Sequence, residues 1–260
     1  MRKRIIRAAV EAGDLLLRAA SDGVRVMGKG TGHELVTSAD HASQDLLQSR
    51  LLNVRPDAAF VGEEGWDGRL PEGPCWIVDP LDGTTNFAHG YPVWSVSIAF
   101  SEGGGVIEAG CIHDPVRRET FSAVRGGGAL LNDRPVSVTT EQSLSSCLLA
   151  TGFPYHRSLD SAGADLGVLD YFLRRVQGIR RGGSAAIDLA YVACGRIDGF
   201  WEEHLKPWDM AAGVLLVTEA GGEVSAYGGE PWTPGSGGIA ASGPRVHRDL
   251  VSGIESSRRR

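Results

Sequence analysis

A set of carboxylates in this 260-residue chain sits at the ends of short apolar runs or at the starts of helical ones. Asp79 and Asp82 stand three apart in Ile77-Val78-Asp79-Pro80-Leu81-Asp82-Gly83-Thr84-Thr85-Asn86-Phe87. Glu63 and Glu64 follow Phe60-Val61-Gly62, Asp209 lies in Lys206-Pro207-Trp208-Asp209-Met210, and Asp40 ends Leu35-Val36-Thr37-Ser38-Ala39-Asp40. Carboxylates brought together repel, so a cluster requires a cation, a shared proton or separation in solvent. Hard divalent cations such as Mg2+ take oxygen ligands and keep water positions open for phosphate. Pro80 turns the chain between Asp79 and Asp82, so both side chains and the Leu81 carbonyl could face one ion. Such an all-oxygen set suits Mg2+ better than Zn2+. Gly83 and Thr84 supply the other half. If Asp82 precedes a helix, their amides are donors at its positive end, a place for a phosphate oxygen, and the Thr84 hydroxyl could hold a water. Metal, helix N-terminus and hydroxyl together are what phosphate-ester hydrolysis requires. Taken singly, the same residues read otherwise: Asp before Gly is common turn chemistry, Asp82 could be an N-cap, and Glu63-Glu64 could be a solvated acidic turn. The combination favours the chemistry.

Positioning these acids falls to the surrounding elements. Residues 3–21 carry Ile5, Ile6, Ala9, Leu16 and Leu17 at helical spacing, and a second helix is expected over about 39–54, ended near Pro56. A Gly-rich stretch including Gly28, Gly30 and Gly32 lies between them. Residues 58–61 and 75–78 read as short strands running straight into acids. From Trp94, strict alternation in Trp-Ser-Val-Ser-Ile-Ala-Phe and two further strand patterns divided by Gly-rich turns predict antiparallel sheet over 94–139. The second half predicts strands near 147–151, 197–201, 222–226 and 237–242, and helices near 160–176, 184–195, 208–220 and from about 244. The order implies a mixed α/β (α+β) chain. A sheet-rich lobe over 1–140 would carry most of the acids, and an α/β lobe over 141–260 would carry Asp209 and a substrate rim.

Four stretches in the same order resemble the inositol monophosphatase family of Mg2+-dependent, lithium-sensitive phosphatases. They are Gly-Glu-Glu at 62–64, the run from Trp76 to Pro92, the run Gly-Ser-Ala-Ala-Ile-Asp-Leu-Ala-Tyr-Val-Ala-Cys-Gly-Arg-Ile-Asp-Gly-Phe-Trp-Glu at 183–202, and Leu205 to Gly213. The resemblance spans nearly the whole chain, and several separate motifs in order make it specific. It implies a layered αβαβα fold and a homodimer. Glu63, Asp79, the Leu81 carbonyl and Asp82 look like the protein ligands of a first metal; Asp82 and Asp209 would bridge or hold a second, and Glu63 with water would complete a weaker third. Two or three Mg2+ are thus implied, with Mn2+ as a substitute and Li+ as an inhibitor. Thr84 and Asp40 are similar to the pair that orients and activates the attacking water, giving catalytic roles to Asp40, Thr84 and Glu63. Asp82, Gly83 and Thr84 would meet the phosphate, and Ala185 and Glu202 align with positions that contact the alcohol part of the substrate. Lys29, eleven residues before Asp40, matches a lysine of a mobile loop near the metals. The implied mechanism is direct attack of an activated water on phosphorus, with no phospho-enzyme. Relatives on the same fold hydrolyse fructose-1,6-bisphosphate, histidinol phosphate or nucleotide 3′-phosphates; the 183–202 run looks closer to the inositol monophosphatase and sugar bisphosphatase branches. A regulatory binding protein that keeps the fold is the non-enzymatic alternative.

Other signals are weaker. The net charge of −6 argues against a nucleic-acid-coating surface, so the expected partner is a small phosphate ester rather than nucleic acid or membrane. The basic tail Arg258-Arg259-Arg260 reads as a solvated end. No run of 18 apolar residues exists, and Glu11 and Asp14 break the apolar start that a signal peptide would continue. Cys75, Cys111, Cys147 and Cys194 lie far apart and read as core thiols of a cytoplasmic protein. Gly23 to Lys29 spells GxxxxGK, but Gly30 replaces the Ser or Thr of a P-loop and a helix precedes it. The seven histidines show no metal spacing; His204 is expected on the rim and His89 packed or solvated. Trp208 is expected to support Asp209, and Arg180-Arg181 could reach phosphate or a dimer partner, or be a solvated pair.

Overall fold

The computed structural model describes residues 1–22, 26–29, 34–154 and 159–258. Helix α1 (Arg2–Asp22) leads into a hairpin, β1 (Val26–Lys29) and β2 (Glu34–Thr37), and then α2 (Ser38–Leu52). A seven-stranded sheet follows in the order β3 (Ala59–Gly62), β4 (Cys75–Asp82), β5 (Ser95–Ser101), β6 (Ile107–Asp114), β7 (Glu119–Val124), β8 (Ala129–Leu131) and β9 (Arg134–Pro135), with the short helix α3 (Thr84–Ala88) after β4. The remaining elements are β10 (Leu148–Thr151), α4 (Leu159–Leu173), β11 (Gly178–Arg180), α5 (Ala185–Ala193), β12 (Gly199–Glu203), α6 (Pro207–Glu219), β13 (Glu223–Ser225), β14 (Gly238–Ser242) and α7 (His247–Arg258). Their strands form a second sheet in the order β11-β10-β12-β14-β13.

The layers are α, β, α, β, α, as the family resemblance implies. Helices α1 and α2 cover one face of the first sheet; α5 and α6 lie between the two sheets; α4 and α7 cover the far face of the second. A sheet covered on both faces has no solvent side, so its strands need not alternate. All eight residues of β4 and all seven of β5 are buried accordingly, Ser95 and Ser97 included. Helix α5 in the middle layer is buried over Ala185 to Ala190, Val192 and Ala193, apolar apart from Asp188 in its first turn. Close approach there depends on missing side chains. A Cβ at Gly213 of α6 would lie 2.5 Å from Leu189, and one at Gly110 of β6 would lie 3.0 Å from the Ala212 carbonyl.

Several sequence expectations are corrected. The strand expected to stop at Val78 continues to Asp82. The antiparallel sheet expected over 94–139 is present as β5 to β9, and the unforeseen feature is that β3, ahead of it, pairs parallel with β4. The Gly-rich stretch contains the β1–β2 hairpin, and β11 was not foreseen. Gly23 and Gly30 of the GxxxxGK match, and Arg259 and Arg260 of the tail, lie outside the described residues, as does the Lys29 side chain. Among the described residues no helix is long and apolar enough to cross a membrane.

Candidate active site

The geometry of the acids begins with an extra residue in β4. Side chains alternate along a strand, so residues three apart ordinarily face opposite ways. Asp79 pairs with Ser97 and Asp82 with Ser95, so three steps along β4 match two along β5. That one-residue bulge turns both carboxylates to the same side. Pro80 has no N–H to give the ladder and is suited to the irregular step. The Leu81 N–H donates to Asp79 Oδ1 at 2.9 Å, which fixes that carboxylate across the bulge. Asp209 joins them from the first turn of α6, where its Oδ2 accepts the Lys206 N–H at 2.7 Å. Oxygens of Asp79, Asp82 and Asp209 lie within 4.8 Å of one another.

Asp82 does not cap its own helix, contrary to the alternative drawn from sequence. Gly83 occupies the N-cap position of α3 with φ of 96°, and no side chain caps that helix. Val93 and Gly183 carbonyls crowd the place of a Cβ at Gly83, at 3.0 and 3.2 Å. Asp82 Oδ2 instead accepts the Ser184 hydroxyl at 2.5 Å and the Ala186 N–H at 2.8 Å. It thereby ties down the start of α5, in the middle layer, whose N-cap is Ser184 with its hydroxyl accepting the Ile187 N–H.

Helix α2 holds the other side through one face, at positions i, i+3 and i+4. Asp40, fully buried, accepts the Thr84 hydroxyl at 3.0 Å, and that hydroxyl also lies 3.1 Å from the Leu81 carbonyl. Ser43 donates to the Pro80 carbonyl at 2.8 Å. The Gln44 amide makes two bonds with the Glu64 backbone, donating to its carbonyl and accepting its N–H, both at 3.0 Å. The residue after Glu63 is thus pinned, and the β4 bulge is held by the same helix.

Around the acids lies a cleft of roughly 530 Å³, counting its open mouth, lined by Glu63, Asp79, Leu81, Asp82, Gly83 and Thr84 on one side. Ala185, Glu202 and Asp209, also named from sequence, line it too, and Asp40 stands behind Thr84. Sequence reasoning missed Gly152, Phe153, Gly183 and Leu205 and left Arg181 undecided, yet all five line the cleft. It also missed Ser43, Gln44 and Ser184. The spacing of Asp40, Ser43 and Gln44 is a signal that could have found two of them, being polar at helical spacing where a buried face is expected.

Burial and mutual repulsion set the electrostatics. Asp79 is pushed well above the usual carboxylate range by burial, then by Glu63, Asp82 and Asp209. Burial likewise raises Asp209, with Asp82 adding to it and the Lys206 N–H opposing. Asp82 is raised to about 6 by burial, against the pull of Ser184 and the Ala186 and Ala185 amides. Three acids that resist ionisation together form a site a divalent cation would relieve, and their donors are all oxygen.

Among the residues set aside, Trp208 is buried, packs edge-on against Trp66 at 5.0 Å and accepts the Ser97 hydroxyl on its carbonyl. His89 and His204 are exposed, His204 with φ of 65°. All four cysteines are unpaired thiols, three of them buried.

Comparison with known proteins agrees over the full length. The model of the inositol monophosphatase family matches residues 1–258. An inositol-1-monophosphatase from Synechocystis sp. is 43% identical over 236 residues, 90% of this chain and 81% of that protein. A Nus factor SuhB from Pseudomonas aeruginosa is 42% identical over 256 residues, 96% of this chain and 94% of that protein. The crystal structure of extragenic suppressor protein suhB from Bartonella henselae superposes with a TM-score of 0.89 at 40% identity, covering 97% of both chains.

Proposed function

The chain belongs to the inositol monophosphatase family, and from that premise we propose that it is a Mg2+-dependent phosphomonoesterase acting on inositol-1-phosphate or a similar small polyol phosphate. The observation that carries the reading is the meeting of Asp79, Asp82 and Asp209 on a cleft beside the Thr84–Asp40 pair. Glu63, Asp79, the Leu81 carbonyl, Asp82 and Asp209 would hold two or three Mg2+, with Mn2+ able to substitute and Li+ inhibitory. Bound there, the ions would polarise the phosphoryl group and lower the pKa of a water.

The chain's own residues do the rest. Thr84 has one hydroxyl proton and two acceptors for it, Asp40 and the Leu81 carbonyl. Donating it to Asp40 leaves the Thr84 oxygen as an acceptor facing the cleft, where it would orient a water and relay its proton to Asp40. Gly83 and Thr84 amides would receive phosphate; α3 has only five residues, so local amides rather than a full helix dipole would supply that attraction. Ala185 and Glu202 would contact the alcohol. We further propose a cytoplasmic homodimer, on the family likeness.

The test is phosphate release with Mg2+ from inositol-1-phosphate, fructose-1,6-bisphosphate, histidinol phosphate and a nucleoside 3′-phosphate. Preferred release from the inositol ester supports the reading; preference for another ester moves the substrate within the same chemistry. A second reading comes from the relative named Nus factor SuhB: a binding protein that retains the fold. Negligible release from every ester with Mg2+ binding intact would favour it.

A further inference from the structure

We propose that Gly152 is a positioning residue for alcohol recognition, its missing side chain forming the slot into which the Glu202 carboxylate folds. Gly152 follows β10, and Glu202 lies on β12, the parallel neighbour in which Thr151 pairs with Trp201. Both residues line the cleft. A Cβ at Gly152 would overlap Cδ and both carboxylate oxygens of Glu202, at the same distance from all three. A point equidistant from three atoms of a plane lies above that plane, so the side chain of any other residue would point into the flat face of the carboxylate.

Backbone geometry does not call for glycine here. Gly152 does not have a positive φ, so its conformation is open to any residue, and what a side chain there would displace is the end of the Glu202 side chain. Gly83, by contrast, has φ of 96° and is required by its turn. Glu202 shares the cleft with Asp209, so its position decides what the alcohol part of a substrate meets there. The two oxygens of a carboxylate suit two neighbouring hydroxyls of one substrate. The slot thus selects a polyhydroxy alcohol over an aromatic or aliphatic one.

This inference rests on the phosphatase reading, and its test separates the two. With Gly152→Ala, kcat/KM for inositol-1-phosphate should fall at least ~10-fold more than kcat/KM for p-nitrophenyl phosphate, which has no hydroxyls, since a charge-assisted hydrogen bond is lost only by the former. In a Glu202→Ala background, Gly152→Ala should add less than about twofold, because neighbours acting through one contact are not additive. Equal losses for both esters, an additive double variant, or wild-type behaviour of Gly152→Ala would each overturn the proposal. Should Gly152→Ala alone not fold, the Gly152→Ala, Glu202→Ala pair removes the overlap and is expected to fold; its failure would show that the slot is not why glycine is there. Should the wild-type protein hydrolyse neither ester, the phosphatase reading fails. A crystal structure of Gly152→Ala then decides the positioning, with Glu202 swung out expected and Glu202 unmoved overturning it.

Discussion

The Ser184 hydroxyl meets the Asp82 carboxylate at 2.5 Å across 102 positions of sequence, joining the bulged strand of the first sheet to the helix between the sheets. Asp82 is therefore both a candidate metal ligand and the acceptor for Ser184, the N-cap of α5, and for the Ala186 N–H, and the two roles separate by substitution. Asp82→Asn keeps an oxygen for Ser184 and Ala186 but removes the charge. It should lose at least ~10²-fold in turnover, the effect of one strong electrostatic stabiliser, with little change in melting temperature. Asp82→Ala should lose turnover and also ~1 kcal/mol or more of stability, because the Ser184 hydroxyl and Ala186 N–H lose a buried acceptor. Near-native turnover of Asp82→Asn with Mg2+ would refute the ligand assignment.

Thr84 tests the proton relay. Thr84→Val matches its shape without the hydroxyl and should lower kcat ~10²-fold or more, the usual worth of a positioned proton acceptor, while Thr84→Ser should retain most of it. Equal kcat for Val and Ser, measured at saturating inositol-1-phosphate, would remove the hydroxyl from the chemistry.

The acid cluster predicts an unusual pH response of the metal-free protein. Burial pushes Asp82 up from 3.8 to about 6 in the folded protein, and Asp79 and Asp209 are raised in the same direction. Between those values the native state binds more protons than the unfolded one, so stability falls as pH rises through about 6. His113 and His247, both lowered by burial, act oppositely, but they lie outside the cleft and contribute equally with and without metal. The rise in melting temperature on replacing EDTA by Mg2+ should accordingly be larger at pH 7.5 than at pH 5. An equal rise at both would mean that these acids are not what the metal relieves.

How far the sequence could be read depended on whether a role was written in residue type or in register. Asp79, Asp82, Glu63 and Asp209 could be picked out only in combination, as several acids each at the end of an apolar run or the start of a helix, because each alone fits ordinary turn or capping chemistry. The β4 bulge was not legible, since one extra residue against β5 is a property of pairing between strands and leaves no local mark beyond Pro80. The tie of Asp82 to the start of α5 depends on a contact across layers that no short-range rule supplies. Arg181 looks the same in sequence whether it faces solvent or lines a cleft, and Gly152 in Thr151-Gly152-Phe153-Pro154 reads as a turn, although its role is to leave room.

Gln44 provides the last prediction. Its amide copies the hydrogen bonding of a strand, giving one bond to the Glu64 carbonyl and taking one from the Glu64 N–H. Gly62 has no Cβ because the Gln44 amide occupies its place. Gln44→Ala leaves two backbone groups to find other partners, which costs ~1–3 kcal/mol where they stay buried. Glu63 is the neighbouring residue, so the loss should also reach the metal: outer partners of ligands are commonly worth ~10- to 100-fold in affinity. Gln44→Glu would add a negative charge that itself attracts a cation, so Gln44→Ala is the cleaner variant. Calorimetric titration with Mg2+ should find Gln44→Ala weaker than wild type, beside a lower melting temperature. A lowered melting temperature with unchanged Mg2+ affinity would make Gln44 a brace for the loop and nothing more, because only a displaced Glu63 couples the two measurements.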